Sequence, residues 1–449
     1  MGLGAGVAVE GAQAATTPTF NKEVAPILFA KCVSCHRPGD VAPMSLLSYE
    51  NARPWARAIK TRVFAREMPP WPAAPPYGRF RNEHTLTETQ INTLVAWVDA
   101  GAPQGDGAPP PAPRFVEGWT SQMNRPPDQV IEAPIGFDLP ASALIPEFTV
   151  WSKASFGKER FIEAIELRPT NRAILHHARV SRAKLPRGAK VGQGEVWPGG
   201  PVLDGVPMLG NGSPAPLPSP AASFGQPLVV YVPSGGVLRF PRGVGKRIQS
   251  DDYLMWTFHL TTTGRVERGG ARIGLWFSRG DVEHEVITWT VTDRVMRNGR
   301  EVPRDAGGPQ LPNIAPREPE YTVTGLMRLT QPITLYALWP HMHARGRDMT
   351  FILEDSKGRE QTLLSVPRYK SAWQFTYELA KPLKIPAGST IKAIAHYDNS
   401  SRNPDNPDPN QEVTWGPQAT NEMFDPFLEF AVDRPPTMRQ RPSELGLGQ

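Results

Sequence analysis

Cysteine is almost absent from this 449-residue chain, which has two, Cys32 and Cys35. A framework of structural disulfides is thereby excluded, and the fold must hold together by packing. Long apolar runs are also missing. No stretch approaches the roughly 18 uninterrupted apolar residues of a membrane-spanning helix, so no integral membrane segment is expected. Charge of one sign is scarce too. Lys and Arg number 49 against 44 Asp and Glu, a net charge of +5, without a dense basic block, which argues against nucleic acid as a partner. What the chain has in plenty is Pro and Gly, 50 and 40 residues. Together they are far above the roughly 12% of an average protein. That composition disfavours a mainly helical fold and favours turn-rich β architecture with long loops. Hydrophobic residues at 39% are enough for packed cores, and the length predicts two or three domains.

Both cysteines fall in Cys32-Val33-Ser34-Cys35-His36. C-x-x-C-H is the pattern of covalent c-type haem attachment, in which two thiols bond the haem and the adjacent imidazole becomes an iron ligand. The alternative is a thioredoxin-like dithiol pair. One haem c on Cys32 and Cys35, with His36 on the iron, implies bacterial export to the periplasm or beyond. The small apolar run Gly2–Val9 and the Ala12-Gln13-Ala14 triplet agree, and residues 1–16 read as a signal-peptide remnant without its basic n-region.

Residues 17–105 are expected to form a small helical domain. Val24, Ile27 and Leu28 precede the haem motif at helical spacing. A second helix is expected over 51–67 with Trp55, Ile59 and Val63 on one stripe. A third begins at the capping-box sequence Thr87-Glu88-Thr89-Gln90, with Ile91, Leu94, Val95 and Val98 as its apolar face and Gly101 at its end. This layout resembles a class I cytochrome c. The resemblance implies a thioether as sixth iron ligand. Met68, in Met68-Pro69-Pro70-Trp71, is the leading candidate; Met44 and His84 are the alternatives. The Pro-rich run 105–113 marks a semi-rigid linker, taken as 106–130.

Beyond residue 130 the pattern changes to period 2. Leu254, Trp256, Phe258 and Leu260 share one face of a strand, and the runs around 273–277, 287–291, 333–343, 349–354, 390–397 and 427–432 are also β-like. The expected fold class is multidomain, a small all-α cytochrome c domain followed by two all-β, jelly-roll-like sandwich domains, 131–310 and 311–436, with a tail over 437–449.

The histidines fall on these strands. His341-Met342-His343 places two imidazoles at i and i+2, on one face, a good arrangement for one metal. His176-His177 are adjacent and point apart in a regular strand, so joint ligation requires a bulge, a strand end or different ring nitrogens. His259 alone reads as a core or surface group. His284 reads as a surface group, and His396 as a candidate outer partner of a metal ligand.

The order His176-His177, His259, His341-Met342-His343 and Glu422-Met423 resembles the copper type II, ascorbate-dependent monooxygenases, the family of peptidylglycine α-hydroxylating and dopamine β-monooxygenases, over roughly residues 135–435. The resemblance implies two copper ions, one held by His176, His177 and His259 and one by His341, His343 and Met423. Three imidazoles suit copper, and a thioether softens a site toward Cu(I), the state that meets O2. Some positions depart from the peptidylglycine enzyme. Trp339, Asp425 and Phe427 stand where that enzyme has Arg, Asn and Tyr, so its carboxylate anchor is missing. Trp339 and Phe427 instead suit an apolar pocket, or plain core packing.

The expected function is an exported haem–copper oxidoreductase. It would use O2 to hydroxylate a small or apolar organic substrate at the His341/His343/Met423 copper. Electrons would pass from the fused haem, fed by an external donor, through the three-histidine copper. The alternative is a non-catalytic haem and copper electron-transfer or copper-binding protein.

Overall fold

The computed structural model describes residues 17–432 except 116, 117, 120–122, 137, 144, 154, 155, 197–199, 214–225, 234, 306, 307 and 417–419. The signal-peptide remnant over 1–16 and the tail over 437–449 lie outside the described residues. The chain divides into two compact units. Among the described residues, the first comprises 17–38, 43–70 and 84–114, and the second 39–42, 71–83 and 115–432.

The first unit carries short helices. A π-helical turn, Phe20–Val24, runs into helix Ala25–Lys31. Ser48 caps helix Tyr49–Ala52, its hydroxyl accepting from the Asn51 amide. The helix expected over 51–67 is interrupted. Pro54 has no amide to donate, a 3-10 turn forms at Arg53–Trp55, and the α-helix resumes only as Ala56–Phe64. Trp55 is consequently exposed, while Ile59 and Val63 are buried. Helix Glu88–Asp99 starts at the Thr87/Gln90 capping box, and Gly101 follows it in the left-handed region, at φ 85°. Its buried face is Ile91, Leu94 and Trp97. Trp97 displaces the expected Val95 and Val98 because its indole meets Phe20, at 6.2 Å between centroids, and donates to the Pro103 carbonyl.

The second unit is β throughout its core. Among the described residues, a nine-stranded sheet runs in the order Gln129–Glu132, Ala271–Phe277, Arg160–Pro169, Val244–Ile248, His284–Thr290, Asp425–Val432, Ile333–His341 and Tyr377–Ile385, with Val237–Arg239 branching from Arg160–Pro169. Its neighbours are antiparallel except Val244–Ile248 beside His284–Thr290. A four-stranded sheet, Phe148–Lys153, Tyr253–Leu260, Leu175–Ala183 and Gln226–Tyr231, and a six-stranded sheet built around Tyr321–Arg328, Thr390–Tyr397 and Gly346–Glu354 complete two sandwich cores. The first core includes Val150, Ile165, Trp256, Phe258 and Leu275. The second includes Val323, Leu335, Phe351, Leu428 and Phe430. Alternation is clean in Tyr321–Arg328 and Thr390–Tyr397. In Tyr253–Leu260 it is lost, because Met255 and Thr257 are buried along with Leu254, Trp256 and Phe258.

These observations correct the expected fold class. The chain is mostly β, and no distinct all-α cytochrome c domain forms over 17–105. The helices there are 4 to 12 residues long. Residues 71–83 leave them for the β unit. Ala74 donates to the Ser365 carbonyl, Phe80 bridges Leu379, and Trp71 and Phe80 join the second core. The prolines at 69, 70, 72, 75 and 76 explain this, since they bar a helix and leave an extended segment suited to a sheet edge. The nine-stranded sheet passes without a break from one core to the other. The joint is held by Lys246, whose buried ammonium donates to Glu429, Thr288 and the Pro227 carbonyl.

Candidate metal centres

His177 and His259 are direct cross-strand partners between Leu175–Ala183 and Tyr253–Leu260. Beyond them the register slips, Leu260 pairing with Leu175, so His176 is the extra residue of a β-bulge. A bulge re-aims a side chain that would otherwise point to the opposite face. The three imidazoles therefore converge. Their centroids lie 4.8 to 5.6 Å apart, and one nitrogen from each falls within 4.8 Å of the others. His176 Nδ1 is 3.3 Å from His177 Nδ1, while His177 Nε2 is engaged by the Glu147 carboxylate at 3.2 Å. Burial, reinforced by the neighbouring histidines, lowers His176 to about 3 and His259 to about 4. Both are neutral with a lone pair free to ligate, the state a metal requires. Burial pushes Glu147 upward, but the His177 hydrogen bond and the charges of His177, Arg179 and His343 outweigh it and bring it down to about 2.

The second cluster gathers at the end of strand Ile333–His341. The strand stops at His341, and His343 lies just beyond it. The two rings are 5.3 Å apart and nearly perpendicular. Their outer nitrogens are occupied. Gln374 Oε1 accepts from His341 Nδ1 at 2.5 Å, and the Asn421 carbonyl accepts from His343 Nδ1 at 3.0 Å. The Gln374 amide is oriented by its own donation to the Ser371 carbonyl. Each ring is thus left with Nε2 as the unprotonated nitrogen. His341 Nε2 lies 3.3 Å from Met423 Sδ. Burial drives His341 well below the usual imidazole range, with the charges of His343 and Arg179 adding to it. Two imidazoles and a thioether are a donor set suited to a soft transition metal.

The backbone around this cluster is clamped. Fully buried Glu422 accepts from the amides of His343, Arg345 and Met423. Tyr369 accepts from the Met342 amide and donates to the Met342 carbonyl, and Tyr397 donates to the Met423 carbonyl. Trp339 and Phe427 are cross-strand partners stacked at 4.4 Å and 17°, with Trp339 6.0 Å from the His341 ring. Both are buried. Asp425 is paired in register with His341; burial raises it to about 6 against the charges of Arg179 and His343. Sequence reasoning missed Glu147 and Gln374, which bond His177 and His341, and Tyr369, which bonds the Met342 backbone; they lie 27 to 33 residues from those partners and carry no local signature. Glu422 was visible only as the neighbour of Met423.

In the first unit, Cys32 closes helix Ala25–Lys31, and the amides of Cys35 and His36 both donate to the Cys32 carbonyl, so thiols and imidazole share one tight turn. Neither cysteine is in a disulfide. Burial, with the neighbouring Cys35 adding to it, pushes the Cys32 thiol up to about 12. His36 is lowered by burial, opposed by the Met44 backbone. Met68 and Met44 are half-buried in the segments that follow helix Ala56–Phe64 and the haem motif. His84 Nε2 is taken by the Pro70 carbonyl at 2.9 Å. Elsewhere, His396 Nδ1 pairs with Asp348 at 2.6 Å, and His284 opens the strand His284–Thr290.

No family model matches the chain, and no curated protein matches it. Similar solved structures are PNGF-II, at 10% identity and TM-score 0.24 over 68% of this chain and 65% of that one, and an uncharacterized protein from Listeria monocytogenes EGD-e, at 10% identity and TM-score 0.19 over 65% of this chain and 18% of that one. A Paenibacillus xanthan lyase is similar at 11% identity and TM-score 0.16, over 73% and 28%. The chain spans less than two thirds of the length of each. At these TM-scores the likenesses assign it to no family.

Proposed function

We propose that the protein is an exported, haem- and copper-dependent monooxygenase acting on an apolar organic substrate. The observation that carries this reading is the meeting of His341 Nε2 with Met423 Sδ at 3.3 Å, beside His343, in the same β unit as the His176/His177/His259 cluster. When bound, copper at the thioether site would be biased toward the Cu(I) state that reacts with O2, and a second copper would hold the further electron. The net reaction inserts one oxygen atom into a C–H bond. The other leaves as water, with two electrons and two protons consumed.

The chain's own residues have definable tasks. Gln374 and the Asn421 carbonyl keep His341 and His343 in the tautomer that presents Nε2. Glu147 does the same for His177 Nδ1. Glu422 fixes the His343 and Met423 backbones to one carboxylate. The stacked Trp339 and Phe427 exclude water and present an apolar wall beside His341. Cys32, Cys35 and His36 would hold one haem c, with Met68 the candidate thioether ligand, and the haem would supply single electrons drawn from an external donor.

A second reading, a non-catalytic carrier of electrons or copper, is favoured by the burial of His341, His343 and Met423, each under 8% exposed. Protein matured in a host competent for cytochrome c assembly decides between them. The enzyme contains one iron and two coppers, binds azide or CO at reduced copper and consumes O2 when substrate is added. A carrier contains the metals but binds neither probe. Absence of copper overturns both readings.

A further inference from the structure

Trp339, His341, Asp425 and Phe427 share one face of the paired strands Ile333–His341 and Asp425–Val432. Trp339 lies opposite Phe427 and His341 opposite Asp425, and residues two apart in a strand project to the same side. All four belong to the second unit. The rings of Trp339 and Phe427 stack at 4.4 Å, and the indole is 6.0 Å from the His341 ring. Two polar atoms on this face are left over. Trp339 Nε1 and Asp425 Oδ2 are both buried, and among the described residues neither has a hydrogen-bond partner. A buried donor or acceptor without a partner is costly. Here one donor and one acceptor flank the same imidazole, beside two stacked aromatic rings.

We propose that Trp339 Nε1 and Asp425 Oδ2 bind the hydroxyl of a neutral alcohol or phenol, whose hydrocarbon part lies against the Trp339 and Phe427 rings. The inference rests on the proposed function only in taking that molecule as the substrate. The hydroxyl donates its hydrogen to Asp425 Oδ2 and accepts from the indole N–H, so one group satisfies both atoms. Charge narrows the class further. A carboxylate is repelled by Asp425. An ammonium gains little, because the Arg179 guanidinium is close enough to act on Asp425 and already offsets its charge. A plain hydrocarbon leaves both polar atoms unmet, and a site built to hydrogen-bond a hydroxyl rejects the analogue lacking it for that reason.

The test is titration calorimetry at mildly alkaline pH on the full-length protein, before and after copper loading. The probes are benzyl alcohol, toluene, benzoate and benzylammonium. Benzyl alcohol is expected to bind at least about tenfold more tightly than the other three, equivalent to ~1.4 kcal/mol. Trp339→Phe keeps the ring stack and loses the N–H, and Asp425→Ala loses the acceptor. Each is expected to bring benzyl alcohol down to the level of toluene. Asp425→Asn removes the charge and is expected to strengthen benzoate binding. The inference is overturned if benzyl alcohol binds the unaltered protein no better than toluene does, or if its advantage survives both Trp339→Phe and Asp425→Ala. A hydroxyl preference in protein that takes up no copper sustains this inference and overturns the proposed function. Copper uptake with substrate-dependent O2 consumption and no hydroxyl preference overturns this inference alone.

Discussion

His177 and His259 face each other across an antiparallel strand pair, and the register slips by one residue immediately beyond them, at His176. That slip turns two adjacent histidines toward a common point. Because His176 is the unpaired bulge residue, His176→Ala should leave the ladder intact. Metal-free stability should change by no more than ~0.5 kcal/mol, while bound copper falls from two equivalents to one. Elemental analysis and thermal unfolding of the same preparation check both.

Met423→Leu conserves volume and should cost under about 1.5 kcal/mol of stability. It removes the only sulfur at the His341/His343 centre among the described residues. Affinity for Cu(I) should drop more than affinity for Cu(II), as read by competition with a Cu(I) chelator, and the sulfur scatterer should vanish from X-ray absorption spectra. Unchanged spectra would place the thioether off the metal.

Glu422 is a buried acceptor for three backbone amides. Glu422→Ala strands those donors, and each buried unsatisfied group costs about 1–3 kcal/mol. The variant should unfold at markedly lower urea and lose copper from the second centre before the first.

Acid should weaken the metal-free protein through the first cluster. Burial and mutual repulsion hold His176 near 3 and His259 near 4, against an ordinary imidazole value of 6.5. Between those limits the unfolded chain binds more protons than the folded one, so stability rises with pH. The contribution is complete above about pH 6.5 and shrinks as the pH falls toward 4. Copper bound at this cluster would exclude protons from the same nitrogens, so urea titrations of copper-treated and metal-free protein should diverge most in this window.

Lys246 and Glu429 join the two halves of the nine-stranded sheet by a buried ion pair. Lys246→Ala leaves Glu429 uncompensated and should cost about 3–5 kcal/mol, whereas Lys246→Met with Glu429→Leu should recover most of it. Chemical denaturation of the single and double variants measures the difference.

Much of the local structure was legible in residue order. The Thr87–Gln90 capping box forms, and the alternation of Thr390–Tyr397 gives a strand with one buried face. The apolar stripe over 51–67 does not make one helix, because Pro54 interrupts it. Periodicity describes a segment and does not say where its apolar residues find partners, so a helical domain over 17–105 does not follow from it. Trp71 and Phe80 found theirs in the β unit.

The sequence alone determined which chemical groups the chain owns: the C-x-x-C-H motif, a paired and a spaced set of histidines, a late methionine, and too little cysteine for disulfides. Tertiary structure decided which of them meet. His176 joins His177 only through a bulge set by pairing with a strand about eighty residues later, and Met423, just before strand Asp425–Val432, reaches His341 only because that strand pairs with Ile333–His341. Proximity between residues far apart in the chain is a property of strand register and packing, and neither is written in local spacing.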